Sequence, residues 1–142
     1  MSKISDILSR KGNKAISVTP ETSVLDALKV MAANNIGSVV VKENDKFCGI
    51  ITERDYSRKV VLKGKNSSDT KVSEIMMTEF PLLKPSDSIE YCMELLTKKN
   101  IRYLPVFKDS ELAGIISISD VVTETILFQQ QTINHLHDYI HS

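Results

Sequence analysis

Two short stretches hold the residue types best suited to bind a ligand. GIITERD, from Gly49 to Asp55, and GIISISD, from Gly114 to Asp120, each set a hydroxyl three residues before a carboxylate: Thr52 with Asp55, and Ser117 with Asp120. Apolar residues before each pair and a helical pattern after it place the pair where a strand gives way to a helix. A carboxylate with a neighbouring hydroxyl is suited to accept hydrogen bonds from a ribose diol, while the helix N-terminus and adjacent cations receive phosphate. Arg54, Arg58 and Lys59 are the cations beside the first pair, whereas Ser119 stands where Arg54 does beside the second. The two corners are therefore not chemically equivalent. The same pattern is also a helix capping box, with Thr52 or Ser117 as N-cap and Asp55 or Asp120 at N3. It recurs at Ser23 to Asp26, where no ligand chemistry suggests itself. Glu or Gln is the usual N3 partner and Asp is short for the role, yet Asp stands in both copies. Both readings, ligand corner and helix cap, stay open at this point.

Other chemistries find less support. His135, His137 and His141 all sit near the C-terminus, away from both corners. No arrangement places a His beside a nucleophile, so no catalytic residue is assigned. His137 and His141 are spaced i, i+4, but no HExxH surrounds them and no metal site is expected. There is no GxGxxG and no GxxxxGK[ST], so neither a dinucleotide fingerprint nor a P-loop is present. Cys48 and Cys92 are isolated, which fits reduced, packed thiols rather than a disulfide framework.

Composition bounds the class of protein. The 142 residues carry 18 Lys and Arg against 18 Asp and Glu, and 42% are hydrophobic. A neutral chain argues against clamping nucleic acid, which takes many cations. The balance is uneven, however: residues 1–70 hold 12 basic and 8 acidic side chains, and residues 71–142 hold 6 and 10. Arg54, Arg58, Lys59, Lys63 and Lys65 concentrate positive charge enough for one or two phosphates, not for a duplex. No apolar run approaches the roughly 18 residues of a membrane span, and MSKISDILSR lacks an apolar signal core. The expectation is a cytoplasmic protein that does not engage a membrane.

The elements that position the corners come in a duplicated set. The two corners lie 65 residues apart, and at that offset Pro20 matches Pro85, Asn35-Ile36 matches Asn100-Ile101, and Val41 matches Val106. Upstream, KISDIL at Lys3 resembles KVSEIM at Lys71 at an offset of 68, so the first copy has three extra residues around Lys11 to Lys14. Val24, Ala27, Leu28 and Met31 form the stripe of a core-facing helix, repeated by Ile89, Cys92, Met93 and Leu96. Two β-rich runs joined by a polar turn follow, SVVVK with FCGII and YLPVF with LAGII, and then a second helical pattern. The order is strand, helix, strand, strand, helix, twice. This predicts an α/β (α+β) sandwich of two quasi-equivalent halves, with near-continuous apolar strands covered on both faces. The repeats run over 1–62 and 71–128, the polar stretch 63–70 reads as a linker, and 129–142 reads as an extra helix. Ile133, Leu136 and Ile140 on one side of that helix either cap the core or make a homodimer contact.

Both copies resemble the cystathionine-beta-synthase (CBS) domain, and the pair resembles a Bateman module that covers essentially the whole chain. The likeness rests on KISDIL and KVSEIM, on VTP and LKP before each main helix, on NIGSVVV and NIRYLPV, and on GIITERD and GIISISD. The ERDYSRKVVLKGK stretch from Glu53 resembles especially that of stand-alone bacterial CBS-pair proteins and their organellar plant relatives, which have no attached enzyme or transporter. The resemblance implies tandem βαββα modules packed with pseudo-two-fold symmetry. It implies an adenosine-containing ligand, AMP, ADP, ATP, S-adenosylmethionine or NAD, in the cleft between repeats. Thr52 and Asp55 would hold one ribose, with adenine against Phe80, Pro81 and Ile101, Arg102 and Tyr103. Ser117 and Asp120, with Ser119 between them, would hold a second, with adenine near Lys14, Ala15 and Ile16 and near Ile36, Gly37 and Ser38. Arg54, Arg102 and Arg58 would approach phosphates. Val40 departs from the family pattern, where Pro is frequent and is present here as Pro105. The implied function is a non-catalytic, nucleotide-responsive homodimer that acts on a separate protein partner, and the alternative is a ligand-free structural scaffold.

Overall fold

The computed structural model describes residues 2–12 and 15–141. The elements are α1 (Ile4–Lys11), β1 (Ser17–Val18), α2 (Val24–Asn34), β2 (Ser38–Glu43), β3 (Lys46–Thr52), α3 (Glu53–Tyr56) with a π-helical turn (Ser57–Val61), α4 (Val72–Ile75), α5 (Ile89–Lys99), β4 (Tyr103–Lys108), β5 (Glu111–Ser117) and α6 (Ile118–His141). They divide into two compact units, Ala15–Phe80 and the amino-terminal stretch together with everything from Pro81 onward.

In the first unit the local sequence dictates each element. Ser23 caps α2 by accepting the Asp26 N–H at 3.0 Å. Val24, Ala27 and Met31 then fall on one buried face. The helix stops at Asn35, which takes the left-handed conformation at φ 53° and lets the Ile36 N–H reach the Met31 carbonyl at 3.0 Å. The β2–β3 hairpin turns through Asn44 and Asp45, both at positive φ, the geometry that suits the twist of a tight hairpin. β1 pairs with β2 in parallel. Val39, Val41 and Ile51 pack with the α2 stripe, and Val72 and Ile75 of α4 close the same core. Full burial of such side chains stabilises the fold by about 1.5–3 kcal/mol each. Val40 and Ile50, on the opposite sheet face, are buried too, as apolar runs predict.

The second unit repeats this plan with differences. Ser88 caps α5 through the Tyr91 N–H at 3.1 Å, and Asn100 ends it at φ 52°. Ile89, Cys92 and Leu96 are buried, but Met93, expected on that face, is 46% exposed. The stripe is narrower than the sequence suggested. β4 and β5 pair through a turn at Asp109 and Ser110, again with positive φ. The expected leading strand of this copy does not form: the Phe107 N–H to Leu83 carbonyl bond at 3.0 Å stands where a ladder was anticipated. Pro81 and Pro85 bracket the stretch and have no N–H to give.

The leading segments exchange places. The α1 backbone docks on the second unit, Ile4 N–H to Asp87 O and Ser5 N–H to Pro85 O, each at 2.9 Å. The α4 backbone docks on the first, Val72 N–H to Thr22 O at 2.8 Å and Ser73 N–H to Pro20 O at 3.1 Å. Compact units therefore cut across the sequence repeats. Residues 63–70 are an ordered connection inside the first unit, where Ser67 and Thr70 carbonyls accept the Leu25 and Val24 N–H groups at 3.0 and 2.8 Å. The helix expected from residue 129 is the continuation of α6, which runs unbroken from Ile118. Its Ile133, Leu136 and Ile140 are 63, 58 and 73% exposed, so this end does not cap a core.

Candidate functional site

Each corner sits where a strand hands over to a helix. Thr52 ends β3 in an extended conformation and its hydroxyl accepts the Asp55 N–H at 3.0 Å, while Asp55 Oδ2 accepts the Thr52 N–H at 3.0 Å. Ser117 ends β5 in the same way: its hydroxyl accepts the Asp120 N–H at 3.1 Å, and Asp120 Oδ2 accepts the Ser117 N–H at 2.8 Å. Both pairs are reciprocal capping boxes, so the capping reading is realised in each copy. Capping fixes the direction of each carboxylate without hiding it. The side chains of Asp55 and Asp120 remain 14 and 19% exposed.

The hydroxyls are used differently. Thr52 Oγ1 donates to Asp55 Oδ2 at 3.0 Å, whereas the Ser117 hydroxyl is hydrogen-bonded to the Ser119 hydroxyl at 2.9 Å. The compensating cations also differ. Asp55 pairs with Lys59 on its own helix at 3.1 Å, and Lys59 Nζ also donates to the Ile75 carbonyl at 2.9 Å. The residue matching Lys59 in the second copy is Glu124, one turn from Asp120 and 5% exposed. Two carboxylates on one turn repel. Here α1 supplies both counter-charges: Lys11 Nζ lies 2.8 Å from Asp120 Oδ2, and Arg10 Nη1 lies 2.6 Å from Glu124 Oε1.

The other site residues fall around these corners as the sheets dictate. Ser38 stands opposite Thr52 in the β2–β3 ladder, and the Gly37 carbonyl accepts the Glu53 N–H at 3.1 Å, which brings Ile36, Gly37 and Ser38 beside the first corner. Ala15 and Ile16 belong to this unit, the Ile16 carbonyl accepting the Val40 N–H at 3.2 Å. Phe80 packs edge-on against Phe47, with ring centroids 6.3 Å apart. Arg54 is half-buried and Arg58 exposed. In the second unit Tyr103 stands opposite Ser117, and the Arg102 carbonyl accepts the Ile118 N–H at 3.0 Å, so Ile101, Arg102 and Tyr103 flank the second corner. Pro81 is half-buried and Ser119 exposed there. These neighbourhoods lie within one repeat, whereas the resemblance draws the adenine contacts from the other repeat. Lys14 lies outside the described residues.

Arg10, Lys11 and Glu124 were not singled out from the sequence. A signal for them exists: replacing Lys59 by an acid at the matching position requires cations from elsewhere. Cys92 is fully buried, and burial, with Asp87 and Asp120 nearby, pushes its thiol up to about 11. It is a packed thiol, not a nucleophile. Among the described residues no group of three or more His, Cys, Asp or Glu is placed to hold a metal ion.

The family model for the CBS domain matches residues 4–61 and again residues 72–126. The chain belongs to the CBS-domain family. A mitochondrial CBS domain-containing protein of Arabidopsis thaliana is 38% identical over 96% of this chain and 71% of its own length. A solved protein with CBS domains from Burkholderia ambifaria, provisionally named for signal transduction, is 40% identical with a TM-score of 0.85, covering 89% of this chain and 95% of that one. A hexameric CBS-CP12 protein from bloom-forming cyanobacteria is 29% identical with a TM-score of 0.73, covering 86% and 70%. These likenesses establish a CBS pair of mixed α and β structure, a regulatory class of module. The cytoplasmic expectation is not one that the family imposes, since the Arabidopsis relative is mitochondrial. Among the described residues no helix of this CBS pair is long and apolar enough to cross a membrane.

Proposed function

We propose that this CBS pair is a non-catalytic sensor that binds an adenosine-containing nucleotide, AMP, ADP, ATP or NAD, through Thr52 with Asp55 and Ser117 with Asp120, and relays occupancy to a partner protein. The observation that carries the reading is the duplicated corner itself. In both copies a carboxylate is held rigid by its own helix cap yet left partly exposed, which preorganises an acceptor for a diol. Phosphates would meet the cations near the first corner, Arg54, Arg58 and Lys59. The signal-transduction label of the Burkholderia ambifaria neighbour agrees with a relay role. Such a relay works only through the ligand's differential affinity for two states of the module.

Calorimetric titration with AMP, ADP, ATP, NAD and S-adenosylmethionine, repeated on Asp55→Ala and Asp120→Ala, tests this reading. The expected outcome is saturable binding that one variant loses, which identifies the occupied corner. Absence of heat with all five ligands would leave the carboxylates as caps and favour the scaffold reading.

Self-association is part of the proposal. Ile126, Ile133, Leu136 and Ile140 of α6 are each at least half exposed, an apolar face suited to a second copy of this chain. The hexameric cyanobacterial relative supports assembly in this family. Light scattering should give a homodimer that Leu136→Lys dissociates, and a monomeric wild type would remove this part of the reading.

A further inference from the structure

Lys11 occupies acceptor positions at the second corner. Its ammonium donates to Asp120 Oδ2 and to the Ile115 carbonyl, both at 2.8 Å. Asp120 Oδ2 already serves the Ser117 N–H as a cap. A ribose diol seeking this carboxylate therefore meets an oxygen claimed by a cation from a helix 109 positions away in the chain. At the first corner the cation on the carboxylate is local: Lys59 comes from the turn just after Asp55 and also donates to the Ile75 carbonyl.

We propose that Lys11 is a built-in competitor at the Asp120 corner: a ligand that takes hydrogen bonds to Asp120 displaces the Lys11 ammonium and loosens the last turn of α1. The inference rests on the proposed nucleotide reading and adds to it a direction of coupling. The displacement is local. Ile4, Ile7 and Leu8 are buried and Arg10 keeps its own pairing with Glu124, so α1 stays seated while its end is released. Beyond Lys11 the chain turns at Gly12, which has φ of +80° and whose N–H bonds to the Leu8 carbonyl at 3.1 Å. That bond is the reporter of the change. Lys11 thus sets how strongly the second corner binds and links its occupancy to α1.

Because Lys11 and Asp120 are both partly exposed, the competing pair is of the weak, salt-sensitive kind. The full-length protein is titrated with adenosine, a neutral probe, and with AMP, at low and high salt, using wild type, Lys11→Met, Lys11→Arg, Asp120→Asn and the Lys11→Met/Asp120→Asn double variant. Lys11→Met is expected to bind adenosine about three- to fivefold more tightly than wild type, with the gain absent in the double variant. Lys11→Arg keeps the charge and stays near wild type, which separates competition from a folding defect. Wild-type affinity for adenosine rises with salt toward that of Lys11→Met, whose own affinity is flat. Hydrogen exchange at Gly12 quickens when adenosine binds wild type. Unchanged or weaker binding by Lys11→Met, with binding still lost in Asp120→Asn, overturns the competitor role and leaves the nucleotide reading intact. Failure of every protein to bind either probe overturns both.

Discussion

The two leading segments perform the same docking by different means. α4 is four residues long: it buries Val72 and Ile75, the Ile50 and Met77 peptides just after it exchange hydrogen bonds at 3.0 and 2.9 Å beside Gly49, and its capping residue Lys71 lies 2.7 Å from Glu21. α1 is eight residues long and adds side-chain contacts, with Leu8 against Gly114 and Arg10 and Lys11 against the two carboxylates of α6. A backbone ladder is close and rigid, while a side-chain seat can yield. Both leading segments combine buried apolar contacts, backbone bonds and charge. The difference is that α1 itself brings Arg10 and Lys11 to the carboxylates of α6, whereas at the first corner Lys59 of the corner's own turn reaches out to the Ile75 carbonyl of α4.

Gly49 and Gly114 give the largest test of that contrast. A Cβ at Gly49 would lie 2.6 Å from the Met77 carbonyl oxygen, a backbone atom without room to move, whereas at Gly114 it would lie 2.7 Å from the end of the Leu8 side chain. Gly49→Ala is expected to cost about 3 kcal/mol and Gly114→Ala about 1 kcal/mol, because a rotatable side chain relieves the overlap. Urea unfolding of both variants would measure the gap, and equal costs would break the comparison. The next effect is Arg10→Met. It leaves Glu124 buried without its cation, at an expected cost of about 2–3 kcal/mol once the exposure of Arg10 is discounted. Lys59→Met removes an exposed intrahelical pair together with the bond to the Ile75 carbonyl and is expected to cost about 1 kcal/mol. A larger loss in Lys59→Met would reverse the assignment of which corner depends on remote charge.

A last effect, seen only at alkaline pH, belongs to the second unit through Cys92. Cys92 matches Ala27 in the other copy, and both are fully buried. The Cys92 thiol is raised from 9.0 to about 11, so below pH 9 it is neutral in folded and unfolded chains and adds no pH dependence. As pH climbs from about 9 to about 11 the unfolded chain releases the proton before the folded one, and stability falls by at most about 3 kcal/mol. Cys92→Ala, which makes the second core like the first, should flatten that alkaline limb in denaturation curves recorded across the range. A limb unchanged in Cys92→Ala would mean that another group titrates there.

Much of this was legible because it is local. The stripes of Val24, Ala27 and Met31 and of Ile89, Cys92 and Leu96 follow from helical spacing, and both helices end at the Asn residues that the repeat had aligned. The hairpins needed only polar residues that tolerate positive φ at Asn44, Asp45, Asp109 and Ser110. The corners were read correctly as strand-to-helix junctions, and their caps are what a hydroxyl three residues before a carboxylate makes. What failed was also physical. Periodicity counted Met93 into the core because an apolar side chain on the rim of a stripe looks the same as one inside it. The leading strand of the second copy was inferred by analogy with the first, but Pro81, standing where Ile16 does, cannot donate to a ladder.

By itself, then, the amino-acid sequence determined the duplicated plan, the elements and their caps, and the position of a carboxylate at each corner, because these depend on neighbours within a few residues. Only the tertiary structure decided which leading helix serves which unit, and hence that Lys11 reaches Asp120 and Arg10 reaches Glu124. Nothing in local spacing encodes a pairing between residues more than a hundred positions apart. It arises because α1 buries Ile4, Ile7 and Leu8 against the second unit, and the charges at its end follow where that burial puts them.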